Sequence, residues 1–318
     1  MDKIVILMAT FQGEKYLEEQ LRSITEQDYP DWELIVRDDG SSDRTLLLLS
    51  AYANRYPNRI TIRRGEENIG GTRNFLMLLR DATVRAENHP AAGGRTYFMF
   101  SDQDDHWHPD KLRLTLSRMK QLEARYGADV PALVFTDARV VDEGMKELAP
   151  SFYGLQHFIL KKRTLPHLLM ENMVIGCTSM MNAALAGLVE RLPEHARYHD
   201  WWMALLAAAF GHTSYLPVAT TDYRQHGNNV VGAVGFCRYV RQRALSLFGQ
   251  RKTLRANYRQ AEEFCEMYGK RLPEHPAKQL AAFLALPDEN LIARRVHALS
   301  GGYLKSGLLR NIGLFMIL

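Results

Sequence analysis

The chain has 318 residues, enough for one large domain or two modest ones, and its 46% hydrophobic and 24% charged content excludes a disordered or fibrous protein. No apolar run reaches the roughly 18 residues that a bilayer-crossing helix needs, so a membrane-spanning protein is not expected. The net charge of +4 is uneven, because residues 236–318 hold 14 Lys and Arg against 6 Asp and Glu, which leaves −4 on residues 1–235.

The first 135 residues alternate between strand-like and helix-like patterns. Residues 3–9 form a continuous apolar run, typical of a strand buried on both faces of a parallel sheet. In the helix predicted over residues 14–27, Leu17, Leu21 and Ile24 recur at spacings of four and three. Further strands are predicted at 32–37, 60–62, 97–100 and 133–135, and further helices at 45–55, 71–87 and 109–126. Strands joined through helices predict right-handed crossovers and a mostly parallel, doubly wound α/β sheet.

The alternation weakens after residue 150, and the last part of the chain is basic and helical. A buried helix is predicted over residues 202–210, and two more over 237–267 and 276–286. These patterns predict a main α/β domain over residues 1–235 and a helical region over residues 236–318. The positive charge of that region suggests an anionic partner surface, either a membrane leaflet or nucleic acid, although a solvated helical face has the same pattern.

The last eleven residues, 308–318, are apolar except for Arg310 and Asn311. They are too few to span a bilayer but suit an anchor that lies in the membrane interface. A helix docked on the body has the same pattern, so both interpretations stay open. The three cysteines, Cys177, Cys237 and Cys265, lack metal-ligand spacing and fit a reducing, cytosolic compartment without disulfides.

Polar side chains and glycines follow four of the predicted strands. Ligands of open parallel sheets bind beyond the carboxyl ends of the strands, so these loops are expected to share one edge. One of them alone could be an Asx turn that caps the next helix. The four loops are residues 9–14, 37–43, 63–71 and 101–105.

The loop after the fourth strand contains three carboxylates in four residues, Asp102, Asp104 and Asp105. Such groups repel one another, so a counter-charge is expected, and Mg²⁺ or Mn²⁺ prefers oxygen ligands of this kind. The alternative is a solvated acidic loop before the helix at Pro109. The chain has no Gly-x-x-x-x-Gly-Lys-Ser/Thr loop and no Gly-x-Gly-x-x-Gly after the first strand, so a bound diphosphate would depend largely on metal.

These loops, in this order, resemble the family 2 inverting glycosyltransferases of the Rossmann-like GT-A fold, in particular a bacterial rhamnosyltransferase-like branch. The likeness covers roughly residues 3–232, and residues 236–318 carry no motif that can be placed. The matching stretches are residues 8–13, 37–43, 68–70 with Asn74, 100–107 with Pro109 and Lys111, 176–178, 199–202 and 223–229.

The resemblance implies a role for each matching residue. The nucleotide-sugar pocket would be formed by Thr10, Phe11, Glu14, Asp39, Asn68, Arg73, Asn74 and Asp102. Asp39 would accept a hydrogen bond from the imide N–H of the base, which favours uracil or thymine over cytosine. Alternatively, Arg73 could be a charged residue on the exposed surface of a helix.

The resemblance also implies the metal, base and acceptor positions. Asp104 and His226 would hold Mg²⁺ or Mn²⁺, with a purely structural histidine as the alternative. Asp200 would be the catalytic base, although the same position could only cap the helix that follows it. The acceptor side would be formed by Gly176, Cys177, Thr178, Trp201 and Trp202.

The expected reaction is a single displacement in which a hydroxyl of a surface polysaccharide or lipid-linked glycan attacks the anomeric carbon of dTDP-rhamnose, or of a UDP-sugar. The expected setting is cytoplasmic, peripheral on an anionic inner membrane face, with no nucleic acid as partner. A catalytically silent sugar-nucleotide-binding module is the first alternative. A sugar-nucleotide pyrophosphorylase is the second, but its glycine-rich loop should follow the first strand, and Gly70 to Arg73 follow the third.

Overall fold

In the computed structural model, which describes residues 1–89, 93–226 and 247–318, nine strands form one sheet. The strands are β1 (Lys3–Thr10), β2 (Trp32–Asp38), β3 (Ile60–Arg64), β4 (Thr96–Ser101), β5 (His106–Trp107), β6 (Ala132–Val141), β7 (Glu147–Ala149), β8 (Ser179–Asn182) and β9 (His212–Arg224). The Cys237 position and residues 227–229 of the last matching stretch lie outside the described residues.

Twelve α-helices pack on and beside this sheet within the described ranges. They are α1 (Leu17–Thr25), α2 (Thr45–Arg55), α3 (Gly71–Asn88), α4 (Lys111–Tyr126), α5 (Phe152–Gln156), α6 (Leu165–Met170), α7 (Ala183–Ala186), α8 (His199–Phe210), α9 (Leu247–Tyr268), α10 (Glu274–Ala285), α11 (Leu291–Ser300) and α12 (Leu308–Ile317). None of these helices is long and apolar enough to cross a membrane.

The sheet is mostly parallel, as predicted. Its strand order is β3-β2-β1-β4-β8-β6-β9-β5, with β7 paired to β6 at the side. Strands β1 to β4 run parallel to one another, as do β6 and β9, whereas β8 runs antiparallel between β4 and β6. The alternating sequence pattern did not predict β5, β7, β8 and β9, and it stopped at residue 135 for β6, which continues to Val141. These strands are short, antiparallel or partly polar, so they lack the apolar run of a central parallel strand.

The core occupies both faces of the sheet, because alternate residues of β1 point in opposite directions. Ile4 and Ile6 join the apolar cluster that contains Leu21 of α1. Val5 and Leu7 join the other cluster, which contains Leu79 of α3. The prediction that β1 is buried on both faces is therefore confirmed.

The C-terminal helices belong to the second of these clusters. On α9, the ring of Phe264 lies 5.5 Å from the ring of Trp202, and the ring of Tyr268 lies 6.2 Å from it. On α12, Leu314 is fully buried while Leu308 is 76% exposed, so one face docks and the other faces solvent. The predicted boundary at residue 235 falls within 227–246, outside the described residues, but the helices after it pack directly against the α/β body.

Candidate active site

One cleft of about 1130 Å³ opens at the carboxyl ends of the central strands. Its walls come from the loops after β1, β2, β3 and β4, the start of α8, the segment before α8 and the end of β9. Eleven of the sixteen residues predicted for the site line this one cavity: Thr10, Phe11, Asp39, Asn68, Asn74, Asp102, Asp104, Gly176, Asp200, Trp201 and His226.

Two neighbouring aspartates at the end of β2 have different tasks. Asp38 builds the turn, since its carboxylate accepts hydrogen bonds from Thr10 Oγ1 at 3.1 Å and from the Ser41 N–H at 2.8 Å. Asp39 ties this turn to the loop after β3. Its carboxylate accepts from Arg37 Nη1 at 2.6 Å and from the Gly70 N–H at 2.9 Å.

The loop after β1 is pinned across the cleft to the loop after β4. The Phe11 N–H donates to Gln103 Oε1 at 2.9 Å, and Gln103 Nε2 donates back to the Phe11 carbonyl at 3.0 Å. This reciprocal pair fixes the mouth of the cleft, and Phe11 remains 44% exposed there. An exposed aromatic ring at this position is suited to packing against a ligand ring.

Two residues predicted for the nucleotide pocket do not line the cavity. Glu14 turns towards α2, where its carboxylate accepts from the Arg44 N–H at 3.0 Å beside the first turn of that helix. Arg73 is exposed on α3, and its helix neighbours Thr72 and Asn74 face the cavity in its place. A helix turns about 100° per residue, so only part of its first turn can face the cavity, and Arg73 lies on the outer side.

The acidic cluster after β4 is crowded, and the buried Lys111 ammonium is the positive charge that acts on Asp102 and Asp105. Carboxylate oxygens of Asp102 and Asp105 and the Cys177 sulfur all lie within 4.8 Å of one another. Burial, then the charges of Asp105 and Asp104, raise the pKa of Asp102 well above its ordinary value. Burial likewise raises the pKa of Asp105 to about 7. One oxygen of Asp105, Oδ2, is buried without a hydrogen-bond partner.

Asp104 faces the cleft and contacts the predicted histidine. Its Oδ2 lies 2.8 Å from Nε2 of His226, whose ring packs against Tyr16 with centroids 5.0 Å apart. Arg224 positions this corner, because its Nε donates to the Asp104 carbonyl at 2.9 Å. The end of β9 therefore holds both partners in place.

The donor set fits a hard divalent cation. Asp102 and Asp104 both line the cleft, whereas Asp105 lies behind them. Burial raises the pKa of the Cys177 thiol well above its usual range. A soft sulfur ligand also does not suit Mg²⁺ or Mn²⁺, which prefer oxygen. Carboxylates crowded together on a cleft wall are what such an ion would neutralise.

Asp200 begins α8 and points its carboxylate into the opposite side of the same cleft. Three groups donate hydrogen bonds to that carboxylate: Asn172 Nδ2 at 3.0 Å, the Gly176 N–H at 3.0 Å and the N–H of the next residue, Trp201, at 2.6 Å. Burial raises the pKa of Asp200 to about 7 despite these bonds, which favour the charged form. The group lies in the first turn of α8 and lines the cleft, but the N-cap position of this helix is Tyr198, so Asp200 does not cap it. Its role as the base stays a prediction.

Three residues predicted for the acceptor side are buried away from the cavity. Cys177, Thr178 and Trp202 are each fully buried and absent from its lining. The rotation of a helical turn explains this, because Gly176 and Trp201 take the inward positions of their segments. Gly176 also lies tightly under His199, since a Cβ there would meet His199 Nε2 at 2.5 Å.

The sequence did not single out several cleft residues. Asn172 lies in an irregular loop with no motif, and Lys305 comes from the C-terminal region, 104 positions after Trp201. His199 appeared only as part of a matching stretch. Its ring stacks on Phe75 with centroids 4.0 Å apart, and burial lowers its pKa to about 3, so it is neutral. In the sequence, the signal for His199 was its position directly before Asp200 in that stretch.

The fold and this cleft define a nucleotide-sugar-dependent transferase of the GT-A type. The chain belongs to glycosyl transferase family 2, whose family model matches residues 5–181. It is 30% identical over 243 residues to a dTDP-rhamnosyl transferase, RfbG, of Shigella flexneri, a match that covers 71% of this chain and 74% of that protein. It is also 26% identical to a putative teichuronic acid biosynthesis glycosyltransferase, TuaG, of Bacillus subtilis, over 71% of this chain and 81% of that one.

Solved structures share the fold. Residues 1–349 of TarS from S. aureus in complex with UDP-GlcNAc superpose with a TM-score of 0.53 at 16% identity, over 95% of this chain and 89% of that one. A mannosyltransferase from Pyrobaculum calidifontis in complex with GDP-Man and Mn²⁺ gives a TM-score of 0.52 at 17% identity, over 94% and 73% of the two chains. The C-terminal helices are included in these superpositions.

Proposed function

We propose that this protein transfers L-rhamnose from dTDP-rhamnose to a hydroxyl of a growing surface polysaccharide or lipid-linked glycan, with inversion at the anomeric carbon. The observation that carries the proposal is the placement of Asp200 across one cleft from Asp39, Asp102 and Asp104. The rhamnosyl donor is supported by the similarity to the Shigella flexneri transferase. A UDP-sugar is the second candidate donor, favoured by the likeness to the UDP-GlcNAc complex.

Asp200 acts as the general base. It removes the proton of the acceptor hydroxyl while that oxygen forms its bond to the anomeric carbon and the bond to the leaving diphosphate breaks. A pKa of about 7 suits this task near neutral pH, because the carboxylate is then half deprotonated yet basic enough to take the proton. The hydrogen bonds from Asn172 and the Gly176 N–H hold its oxygens in one orientation.

Asp104 and His226 would hold the divalent ion beside the donor diphosphate, with Asp102 nearer the ribose. When bound, the ion supplies positive charge that stabilises the leaving group. The Asp104–His226 contact already brings two of these groups within 2.8 Å of each other.

Asp39 reads the base. A carboxylate offers about four acceptor positions. Here Arg37, Ile69 and Gly70 donate hydrogen bonds to the carboxylate of Asp39. One acceptor position then remains for the imide N–H of thymine or uracil. Cytosine lacks that N–H and would leave the acceptor unpaired.

Replacing Asp200 by Asn tests the base. We expect kcat to fall by about 10²- to 10⁴-fold with little change in donor binding, because the amide keeps the shape but cannot take a proton. The assay follows nucleoside diphosphate release from a panel of dTDP- and UDP-sugars in the presence of an acceptor glycan. Asp129→Asn, at a side chain that is 99% exposed, is the matched control. Normal turnover by Asp200→Asn would exclude Asp200 as the base.

Removing the metal tests the acidic cluster. Chelation, or the Asp104→Ala substitution, is expected to weaken donor binding at least tenfold in titration calorimetry, because the donor diphosphate then lacks its counter-charge. The same donor titration with Asp129→Asn should respond to chelation like the unsubstituted protein. Donor binding that ignores both chelation and Asp104→Ala would contradict the metal site.

The alternative, a catalytically silent sugar-nucleotide-binding module, predicts a different result. Such a protein would bind the donor but show no metal-dependent release of nucleoside diphosphate with any acceptor. The presence of Asp102, Asp104 and Asp200 around one cleft favours the enzyme.

We place the protein on the cytoplasmic face of an anionic membrane. Helices α11 and α12 contact each other, since Arg295 Nε donates to the Phe315 carbonyl at 3.0 Å. Together they expose eight large apolar side chains, which we call the apolar face: Leu291, Ile292, Val296, Leu299, Leu308, Leu309, Ile312 and Met316. An exposed apolar face on a basic region suits the interface of an anionic bilayer.

A further inference from the structure

A second cavity, of about 240 Å³, lies outside the catalytic cleft and is lined by positive charge. It is formed between the second half of α4, the first residues of β9 and the loop before α6. Three arginines line it, Arg118 and Arg125 from α4 and Arg163 from the loop. The catalytic cleft lies at the other end of β9, so the two cavities are separated by this 13-residue strand.

None of these three arginines forms an ion pair with a carboxylate of the described residues. Other cations of the same helix do: Arg113 lies 2.8 Å from Asp28 and Lys120 lies 2.7 Å from Asp2. The negative end of the α4 dipole attracts positive side chains of the helix itself. That effect does not explain Arg163, which comes from another segment.

Arg163 carries the strongest sign of a missing partner. Its Nε is buried without a hydrogen-bond acceptor, while Nη1 donates to the Leu160 carbonyl. Burial, then the nearby charge of Arg118, lower its pKa. The folded chain thus holds two guanidinium groups close together with no carboxylate partner among the described residues, and the guanidinium of Arg163 lies over the ring of Phe135, 6.0 Å from its centroid. This arrangement costs free energy unless an anion is present.

The remaining walls complete an anion site. Arg118 Nε donates to Ser214 Oγ at 2.8 Å, and this hydrogen bond ties the guanidinium to the start of β9, beside the cavity. His212 stacks on Tyr126 with ring centroids 3.6 Å apart and forms a flat side. A planar guanidinium group can donate two parallel hydrogen bonds to two oxygens of one phosphate, a geometry that a lysine ammonium does not offer.

We propose that this cavity binds a phosphate or diphosphate group, at a site separate from the donor diphosphate. The group belongs either to a soluble anion or to the headgroup of a lipid. Neither the transferase activity nor its donor enters this inference, so the two can fail independently.

The first experiment titrates inorganic pyrophosphate into the full chain by calorimetry, with chelator present so that no metal holds pyrophosphate in the catalytic cleft. We expect one binding event, weakened about tenfold or more by Arg163→Gln and by Arg125→Gln, since each loses charge-assisted hydrogen bonds. Arg125 is exposed, so its substitution leaves folding intact. Arg113→Gln removes the same charge from the same helix and should bind as the unsubstituted chain does. No binding, or equal weakening by Arg113→Gln, overturns the proposal.

The second experiment distinguishes the two sources with vesicles of phosphatidylcholine that contain phosphatidic acid. Weaker binding of Arg125→Gln to these vesicles, with unchanged binding to pure phosphatidylcholine, assigns the phosphate to a lipid headgroup. Loss of pyrophosphate binding with unchanged vesicle binding assigns it to a soluble anion. If Arg125→Gln and Arg163→Gln change neither, the cavity is not a phosphate site.

Discussion

Asp200 shows how the surroundings of one side chain shift its pKa in opposite directions. Burial pushes its pKa upward, and the hydrogen bonds from Asn172, the Gly176 N–H and the Trp201 N–H push it downward. The balance at about 7 leaves the group deprotonated in half of the molecules at neutral pH. None of this could be derived from the sequence, because Asn172 lies 28 positions away in a segment without a motif.

The pH profile of the enzyme should therefore report Asp200. Only the deprotonated carboxylate can accept the hydroxyl proton, so kcat/KM should fall about tenfold per pH unit below pH 7. In Asn172→Ala the charged form loses a hydrogen bond, which raises the pKa of Asp200 and moves this limb to higher pH. We expect kcat/KM at pH 6.5 to fall on the order of tenfold, with recovery at higher pH.

Asn88→Ala, at the exposed end of α3, is the control for this pH experiment. It should leave the whole profile unchanged. A profile for Asn172→Ala that is lowered equally at every pH would show that Asn172 supports the site without tuning the base.

At the scale of elements, α12 has two faces with different surroundings. Leu314 is fully buried in the body, whereas Ile312 is 49% exposed on the apolar face. The sequence pattern of an apolar helix fitted either a membrane anchor or a docked helix, and the structure gives each face its own environment. Deleting residues 303–318 would remove buried Tyr303 and Leu314 along with the apolar face, so a point substitution is the cleaner test.

Ile312→Glu should weaken binding to anionic liposomes without unfolding the protein. The charged side chain would have to enter the bilayer interface, and we expect the fraction bound in a sedimentation assay to fall by about tenfold. Leu47→Glu, at a side chain that is 61% exposed on α2, makes the same kind of change away from the apolar face. Equal loss in both variants, or in neither, would count against membrane docking through α11 and α12.

At the scale of the whole molecule, residues of the C-terminal helices and of the α/β body pack into one hydrophobic cluster. The ring of Phe264 is fully buried against Trp202, which follows the proposed base by two positions. Lys305 and Thr253, both from the C-terminal region, also line the catalytic cleft. A fragment that ends at residue 235 would expose the outer face of α8.

Phe264→Ala tests this coupling. We expect it to lower the free energy of unfolding by about 3–5 kcal/mol, because a large buried ring leaves a cavity against α8. Chemical denaturation followed by tryptophan fluorescence measures the change, and one transition should unfold both parts together. Leu291→Ala, at a side chain that is 60% exposed, should change stability by less than about 0.5 kcal/mol. Two separate transitions would mean that the C-terminal helices form an independent domain.

The central part of the fold could be predicted from the sequence because its signals are local. The apolar run of β1 and the spacing of Leu17, Leu21 and Ile24 depend only on neighbours along the chain, and the corresponding elements are present. The loops after four strands share an edge because parallel strands end on the same side. That rule alone brings Asp39 and Asp102 to one cleft.

The remaining features depend on contacts between distant segments. Whether Arg73 or Asn74 faces the cleft is decided by the rotation of α3 against the sheet, and Glu14 is drawn away by the N–H groups that begin α2. By itself the sequence determined a mostly parallel α/β sheet with an acidic edge. The tertiary structure alone decided which side chains face the cavity and that Asn172 donates a hydrogen bond to Asp200, because burial and hydrogen bonding across long sequence separations have no local signature.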